Sequence, residues 1–448
     1  MRAELATLKA RIGQLESRLG AATPPAPAPP VITTPSVEPL QASPEQGELP
    51  LNAASPTYWT VPGSATQVRF SGYIRLGAYK DLADNLNSYK FRAGDIHPAG
   101  DPRRDQAGNI QAQLRLSRIS FDSRTPTRLG ELRTMLAMDF AGAEPKTYQQ
   151  EALQNNGFHL RLTHAYASLG PFSVLGIASE VAVGQTWSNF LDDPDRAESI
   201  DPSGPADVPS QRQPQLRYTA LFGEHALSFA IENPVGEYQG PGTRAASDVN
   251  NTSTTNRWPD LTVKYEVEAG WGRAQVSGIA RWFNVSDGLG HAASATGYGV
   301  LAGGTLYLAP TDQVGGQAWF GEGIGKYVPD EFGTPNGFAV ANYGSGLIEA
   351  RTQQTAGGSL WLRHFWSPVW RSNLAIGYGR QSYAAFVQPA PDQAPVLETS
   401  HLNLIYTPLP MVDLGVELEY GRKTFRRELG LEAADAVRLG FSSRVKFN

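Results

Sequence analysis

The sequence predicts an all-β fold, a 16-stranded antiparallel transmembrane β-barrel, with an α-helical coiled-coil segment at the N-terminus. Three observations support this prediction. Apolar and polar residues alternate with a period of two from Gln67 onward, as in strands. The connections are alternately short and long, and the first residues follow a heptad pattern instead. We therefore divide the chain into a coiled coil at 1–20, a linker at 21–66 and the barrel at 67–448.

The first 20 residues place apolar side chains at alternating spacings of three and four, as a coiled-coil seam requires. The seam residues are Leu5, Leu8, Ile12, Leu15 and Leu19. With Leu5 at position a, Glu4 faces Lys9 and Arg11 faces Glu16 of a parallel partner chain. We expect a parallel oligomer; the alternative is an amphipathic helix packed on its own protein. So short a coil cannot hold an oligomer alone, and the main interface should lie elsewhere.

Gly20 ends the predicted helix, and the Pro-rich run 24–30 favours extended polyproline II, which suits a semi-rigid spacer. No apolar stretch typical of a secretory signal follows Met1. We expect either a mature form with an added Met or a protein that stays inside the cell. The absence of Cys among 448 residues excludes disulfides and thiolate metal sites, and the net charge of −5 argues against a nucleic-acid partner.

Sixteen segments alternate in the strand pattern. They lie at 67–79, 111–123, 131–141, 158–168, 177–187, 213–222, 226–232, 259–268, 272–283, 297–308, 313–322, 355–366, 372–383, 398–407, 412–421 and 436–447. The second segment keeps its phase only if a bulge lies near Ser117. Short turns such as 223–225 alternate with long loops such as 323–354, as an outer-membrane barrel requires. Propellers and sandwiches, the soluble alternatives, would have turns of similar length and polar outer faces.

The polar face of each strand should point into the barrel, because lipid surrounds the other face. On that face we count twelve basic and eight acidic residues, although the whole chain is negative. The candidate pore-lining basic residues are Arg75, Arg133, Arg161, Arg217, Arg273, Arg281, Arg438 and Arg444. The excess predicts a preference for anions. Alternatively, these charges pair across neighbouring strands and only stiffen the wall.

The third long loop, at about 188–212, is rich in carboxylates. They are Asp192, Asp193, Asp195 and Glu198. If the loop folds into the barrel and narrows it, we expect these groups to face wall arginines such as Arg133, Arg161 and Arg217. The alternative is an exposed acidic loop bridged to lipopolysaccharide by divalent cations.

No catalytic, metal or cofactor site is expected. The seven His residues are scattered without metal-ligand spacing. Two alternatives remain open. Trp187, Trp282, Trp319 and Trp361 could form a stacking track of a sugar-specific porin. Glu417 and Glu419 could serve a surface hydrolase, although two carboxylates on one strand face are more often channel wall.

Eight short motifs resemble DcaP-like outer-membrane porins, and they follow one another in the family's order. They lie at Ser71–Gly77, Ser117–Thr127, Gly130–Arg133, Leu160–Tyr166, Val183–Phe190, Arg212–Tyr218, Asp413–Glu417 and Tyr420–Arg422. The resemblance covers most of the barrel, and the N-terminal heptads also fit. Two departures are the absence of a visible export signal and the end at Phe447-Asn448, where such barrels usually end on the aromatic residue itself.

The resemblance implies a homotrimer of barrels in the outer membrane of a Gram-negative bacterium, in contact with lipid and lipopolysaccharide, with a periplasmic N-terminal coiled coil. It implies passive passage of small anions such as dicarboxylates, without enzymatic activity or cofactor.

Overall fold

The computed structural model describes residues 58–142, 159–191, 196–205, 209–234, 237–239, 245–247, 257–286, 290–328, 338–342 and 348–447. The predicted coiled coil at 1–20 and most of the predicted linker lie outside the described residues. No helix in the described part of the chain is long and apolar enough to cross a membrane.

Sixteen strands form one closed antiparallel sheet. They are β1 Gln67–Asp81, β2 in two parts (Ile110–Gln113 and Arg118–Thr127), β3 Gly130–Asp139, β4 Arg161–Val174, β5 Ile177–Trp187, β6 Arg212–Phe222, β7 His225–Glu232, β8 Asp260–Ala269, β9 Gly272–Ser286, β10 Ala292–Ala309, β11 Asp312–Glu322, β12 Gln354–Ser367, β13 Trp370–Gln381, β14 Val396–Leu409, β15 Val412–Thr424 and β16 Ala434–Phe447. Strand β1 pairs with both β2 and β16, which closes the ring. The predicted barrel and its strand number are confirmed.

Strand β2 is interrupted where the sequence predicted a bulge. Gln113 pairs with Gly77, and Arg118 pairs with Tyr73. Four residues of β2 (114–117) therefore lie opposite three residues of β1. The extra residue restores the alternation on both sides of the break and confirms the predicted bulge near Ser117.

Apolar and polar residues that alternate in the sequence lie on the outer and the inner face of the barrel, respectively. On β15, Val416 and Leu418 point outward and are about half exposed, whereas Asp413, Glu417 and Glu419 point inward and are buried. The other strands share this arrangement, with exposed leucine, isoleucine and aromatic side chains all around the outside. Such a surface is stable in a lipid bilayer, where closure of the sheet satisfies the backbone groups.

Short and long connections lie at opposite ends of the barrel. The short ones are two-residue turns, at 128–129, 175–176, 223–224, 270–271, 310–311, 368–369 and 410–411. The long ones contain the 3-10 helices Ala93–Asp95, Arg104–Gln106 and Arg427–Leu429. They also form a separate sheet from Glu237–Gln239, Ala245–Ser247, Phe338–Asn342 and Ile348–Thr352. A further strand, Trp59–Thr60, lies in the predicted linker and pairs with the start of β1.

Long loops enter the barrel and pack on its inner wall. Phe91, Phe190 and Ile324, from three different loops, are fully buried in one apolar cluster. The wall contributes Leu301 and Trp319 to that cluster. The half of the barrel nearer the long loops is therefore partly filled, and the loops decide how much of its interior stays open.

Candidate functional site

The third loop lies inside the barrel at residues 196–205. Glu198 is buried against strand β13, where the Arg371 guanidinium donates two hydrogen bonds to its carboxylate at 2.8 and 2.6 Å. The Nε of Arg363 lies 3.5 Å from the same carboxylate. Burial raises the pKa of Glu198, but the hydrogen bonds and charge of Arg371 outweigh this and keep it below its ordinary value. In the structure these residues of the loop lie inside the barrel, which is one of the two predicted alternatives.

A second carboxylate, Glu417 on β15, receives the next residues of the loop. Its oxygens accept hydrogen bonds from Ser199 Oγ at 2.6 Å and from the backbone N–H of Ile200 at 2.7 Å. From the wall, Asn403 Nδ2 donates to it at 2.9 Å, and His401 Nδ1 lies 3.0 Å away. Glu417 thus holds the loop and has no free position for a reacting water. The geometry gives no support to the hydrolase alternative.

The loop is fixed at its start to a different part of the wall. Ser188 Oγ and the backbone N–H of Asn189 donate to Glu232 on β7 at 2.7 and 2.8 Å. Ser277 Oγ on β9 donates to the carbonyl of Phe190 at 2.6 Å. Strands β7 and β9 lie far around the ring from β13 and β15. The described residues of the third loop therefore contact two distant parts of the wall, so that the loop crosses the interior.

The wall arginines named above as expected partners of the loop carboxylates are not the partners of Glu198. It pairs with Arg371 and Arg363, not with Arg133, Arg161 or Arg217. The physical reason is the crossing itself, since the loop's far end reaches β12 and β13 instead of the wall near its own strands. Asp192, Asp193 and Asp195 lie outside the described residues.

Most of the predicted pore-lining arginines are paired. The pairs are Arg133 with Glu131, Arg161 with Asp139, Arg273 with Glu266, Arg281 with Asp260, Arg438 with Asp81 and Arg444 with Asp413. Several partners face each other directly across neighbouring strands, as Asp81 and Arg438 do. For these residues the structure agrees with the alternative of charge pairing within the wall.

Two of the predicted arginines differ from the rest. Among the described residues, neither Arg75 nor Arg217 has a carboxylate within 4.0 Å. Arg75 donates to the carbonyl of Ile200 on the loop and to Ser442 Oγ on β16. Arg217 donates to the carbonyl of Trp187 and to Gln215 Oε1. Their hydrogen bonds go to neutral groups, while Asp201 and Glu417 act on the charge of Arg75, and Glu180, Glu232 and Glu266 on that of Arg217, from beyond ion-pair distance.

The structure adds equal numbers of basic and acidic side chains to the inward face. They are Arg118, Arg124, Arg371 and Lys423, and Asp81, Asp122, Glu180 and Asp260. The predicted excess of basic groups is therefore unchanged. Arg371 directly precedes the predicted segment 372–383, and extending the alternation by one residue would have identified it as inward-facing.

An open cavity lies between the tip of the third loop and the wall. It is lined by Arg75, Glu198, Ser199, Ile200, Arg371, Ile405, Asp413, Gly415, Ser442 and Arg444. Three guanidiniums and two carboxylates meet here, and both carboxylates are paired with Arg371 or Arg444. The lining thus holds one more guanidinium than carboxylates, which suits a transient position for an anion.

The four tryptophans do not line a common path. Trp282 lies on the outward face of β9. Trp319 and Trp361 point inward, but their side chains are at most 4% exposed. The Trp187 ring lies 3.7 Å from the Arg212 guanidinium. These positions do not favour the aromatic track of the sugar-porin alternative. The described residues also contain no cluster of His, Asp and Glu that could hold a metal ion.

The model of the DcaP outer membrane protein family matches residues 43–439. No curated protein sequence matches the chain significantly. Among solved structures, the outer membrane channel DcaP of Acinetobacter baumannii is 19% identical with a TM-score of 0.67, over 87% of this chain and 99% of that one. The anion-selective porin from Comamonas acidovorans is 12% identical with a TM-score of 0.51, over 85% and 100%. The trimer form of OmpT from Vibrio cholerae is 9% identical with a TM-score of 0.50, over 86% and 100%. At these identities the structures share the fold alone.

Proposed function

The chain belongs to the DcaP outer membrane protein family, and on this premise we propose that it is a trimeric diffusion channel for small anions such as dicarboxylates. It is a porin-type barrel of the Gram-negative outer membrane. The solute gradient drives passage, and the width and electric field of the constriction provide the selectivity.

The basic excess on the inner face supports anion passage, and so do Arg75 and Arg217, which have no carboxylate within 4.0 Å among the described residues. Paired arginines contribute little net field, because their carboxylate partners lie within about a hydrogen-bond length. Arg75 and Arg217 form no such close pair, so a larger part of their charge acts on a solute that passes the third loop. A dicarboxylate carries two charges and gains twice the energy of a monoanion in the same field.

Orientation and assembly are part of the proposal. An even number of strands puts both ends of the barrel domain at the short-turn end, which we place in the periplasm together with the predicted coiled coil. The long loops then face the cell exterior and the lipopolysaccharide leaflet. A trimer form is known for OmpT of Vibrio cholerae, a barrel of the same fold, and supports a homotrimer here.

The test is the reversal potential of single channels in a KCl gradient. We expect the wild-type channel to prefer chloride, and Arg75→Gln and Arg217→Gln each to reduce that preference, because each removes an unpaired lumen charge. Arg380 points outward on β13 and is exposed, so Arg380→Gln is a matched control that should change nothing. Cation selectivity of the wild type, or equal effects of all three variants, would reject anion passage.

A further inference from the structure

The tip of the third loop fits into a gap in the inner wall at Gly415. A Cβ atom added to this glycine would lie 2.5 Å from Ile200 Cδ1 and 3.2 Å from Ile200 Cγ1. It would also lie 3.4 Å from Cγ1 of Ile405, the cross-strand partner of Gly415 on β14. The Ile200 side chain thus occupies the volume that a side chain at position 415 would need.

Gly415 lies between two inward carboxylates of β15, Asp413 and Glu417. Its missing side chain lets the loop backbone approach the wall closely. The backbone N–H of Ile200 donates to Glu417 at 2.7 Å, and Arg75 donates to the carbonyl of Ile200. Wall groups from β15 and β1 therefore hold both polar groups of one loop peptide segment beside the glycine.

The same strand has a second glycine of this kind. A Cβ atom at Gly421 would lie 3.0 Å from Phe91 Cε1 and 3.2 Å from Ile96 Cδ1, both in the first long loop. The two loops are joined, because the backbone N–H of Phe91 donates to Asp201 Oδ2 at 2.7 Å. Strand β15 thus presents two gaps at inward positions, each filled by an apolar side chain of a loop.

We propose that Gly415 is a specificity-determining residue of the channel, because the space it leaves sets how close the third loop lies to the wall and therefore how wide the remaining passage is. The inference rests on the proposed function insofar as the loop bounds the path of the solute. A larger residue at 415 moves the loop away from β14 and β15 and into the open part of the lumen.

The test enlarges the side chain at position 415 and then shortens the side chain at position 200. Alanine at 415 places its Cβ 2.5 Å from Ile200 Cδ1 and 3.2 Å from Ile200 Cγ1, and we expect a small effect because the nearest atom is the end of a flexible side chain that can move aside. Gly415→Val adds two methyl groups beyond this Cβ, which Ile200 cannot avoid by a small movement, and we expect it to lower single-channel conductance by about half. Adding Ile200→Ala should restore the conductance, because it vacates the space that valine takes. Gly278→Val, on the outward face of β9 where a Cβ has only ordinary contacts, is the matched control.

A second measurement is independent of transport. The chain has no Cys, so nitroxide labels at Ser203→Cys on the loop and Leu404→Cys on the outward face of β14 can report the distance between loop and wall. Gly415→Val should lengthen this distance, and Ile200→Ala should shorten it again. Heat-modifiable migration on gels confirms that each barrel is folded.

An unchanged distance and conductance in Gly415→Val, or changes that Ile200→Ala does not reverse, would overturn the inference. A channel without chloride preference that still shows the loss and its rescue would refute the proposed anion passage and leave the role of Gly415 intact.

Discussion

At the scale of single residues, Glu417 shows how the surroundings decide what a carboxylate does. Glu417 and Glu419 share one face of a strand, a spacing compatible with a pair of catalytic acids. In the fold, however, Glu417 accepts hydrogen bonds from three consecutive residues of the third loop, 199–201, and from Asn403. A buried carboxylate with this many donors is a stable anion that positions its partners.

Lys326 gives a pH-dependent prediction at the same scale. It lies in the long loop after β11, where its Nζ donates to the carbonyl of Asn233 at 2.5 Å and lies 3.3 Å from Asp260 Oδ2. Burial, reinforced by the nearby charge of Arg281, lowers the pKa of Lys326 from 10.5 to about 8. The folded state therefore loses this proton at lower pH than the unfolded state.

Between about pH 8 and 10.5 the unfolded chain binds the additional proton, so this group makes stability rise with pH. We expect the free energy of unfolding of the wild type to increase from pH 8 to pH 10 relative to Lys326→Met, which cannot titrate. Urea unfolding in lipid vesicles, followed by tryptophan fluorescence, measures it. A difference between the two proteins that stays constant from pH 7 to pH 10 would contradict the assignment.

At the scale of the elements, the closing pair of strands joins residues from opposite ends of the barrel domain. Asp81 on β1 and Arg438 on β16 face each other directly, and the Arg438 Nε donates to Asp81 at 2.6 Å. Both side chains are 1% exposed. Removing one partner of such a pair leaves a buried charge uncompensated, whereas removing both does not.

We therefore expect Asp81→Asn to destabilise the barrel by about 3–5 kcal/mol, and Asp81→Leu combined with Arg438→Met to recover most of this loss. The control is Asp435→Asn, since Asp435 faces the half-exposed Arg422 on the outside and should contribute at most about 1 kcal/mol. Urea unfolding again supplies the values. Equal losses for Asp81→Asn and Asp435→Asn would show that the buried pair has no special role in closing the ring.

At the scale of the whole molecule, a negatively charged chain encloses an interior with a basic excess. Strand alternation leaves the inward positions of the wall to polar residues, where basic side chains outnumber acidic ones. Most of the other carboxylates lie in the loops. The predicted assembly acts at this scale as well. We expect the proposed trimer to be held mainly by its barrels, and the predicted coiled coil at 1–20 to add stability without being sufficient alone.

Substituting two seam residues tests this division of roles. We expect Leu8→Asn together with Ile12→Asn to lower the temperature at which the trimer dissociates, while the protein remains trimeric at room temperature. Gln14→Asn, outside the seam, should have no effect. Native mass spectrometry and heated gel samples report the oligomeric state. Dissociation at room temperature would show that the coil is the main interface, and an unchanged dissociation temperature would show that it is not part of it.

Strand number, the face that each side chain occupies and the bulge in β2 could all be predicted from the sequence. These features follow from a period of two, which is a local property of the chain. The pairing of Arg281 with Asp260 was not predicted for these two residues. Pairs of this kind were predicted in general, because strand register brings inward charges side by side.

The sequence alone determined a closed sheet with an apolar outside and a charged inside, because alternation and turn length act between near neighbours in the chain. The position of the third loop depends on contacts that form only in the folded barrel. Glu198 meets Arg371 across 173 residues, and Ile200 meets Gly415, which is more distant still in the chain. No local pattern encodes such contacts, since they depend on which parts of the wall face each other after the ring has closed.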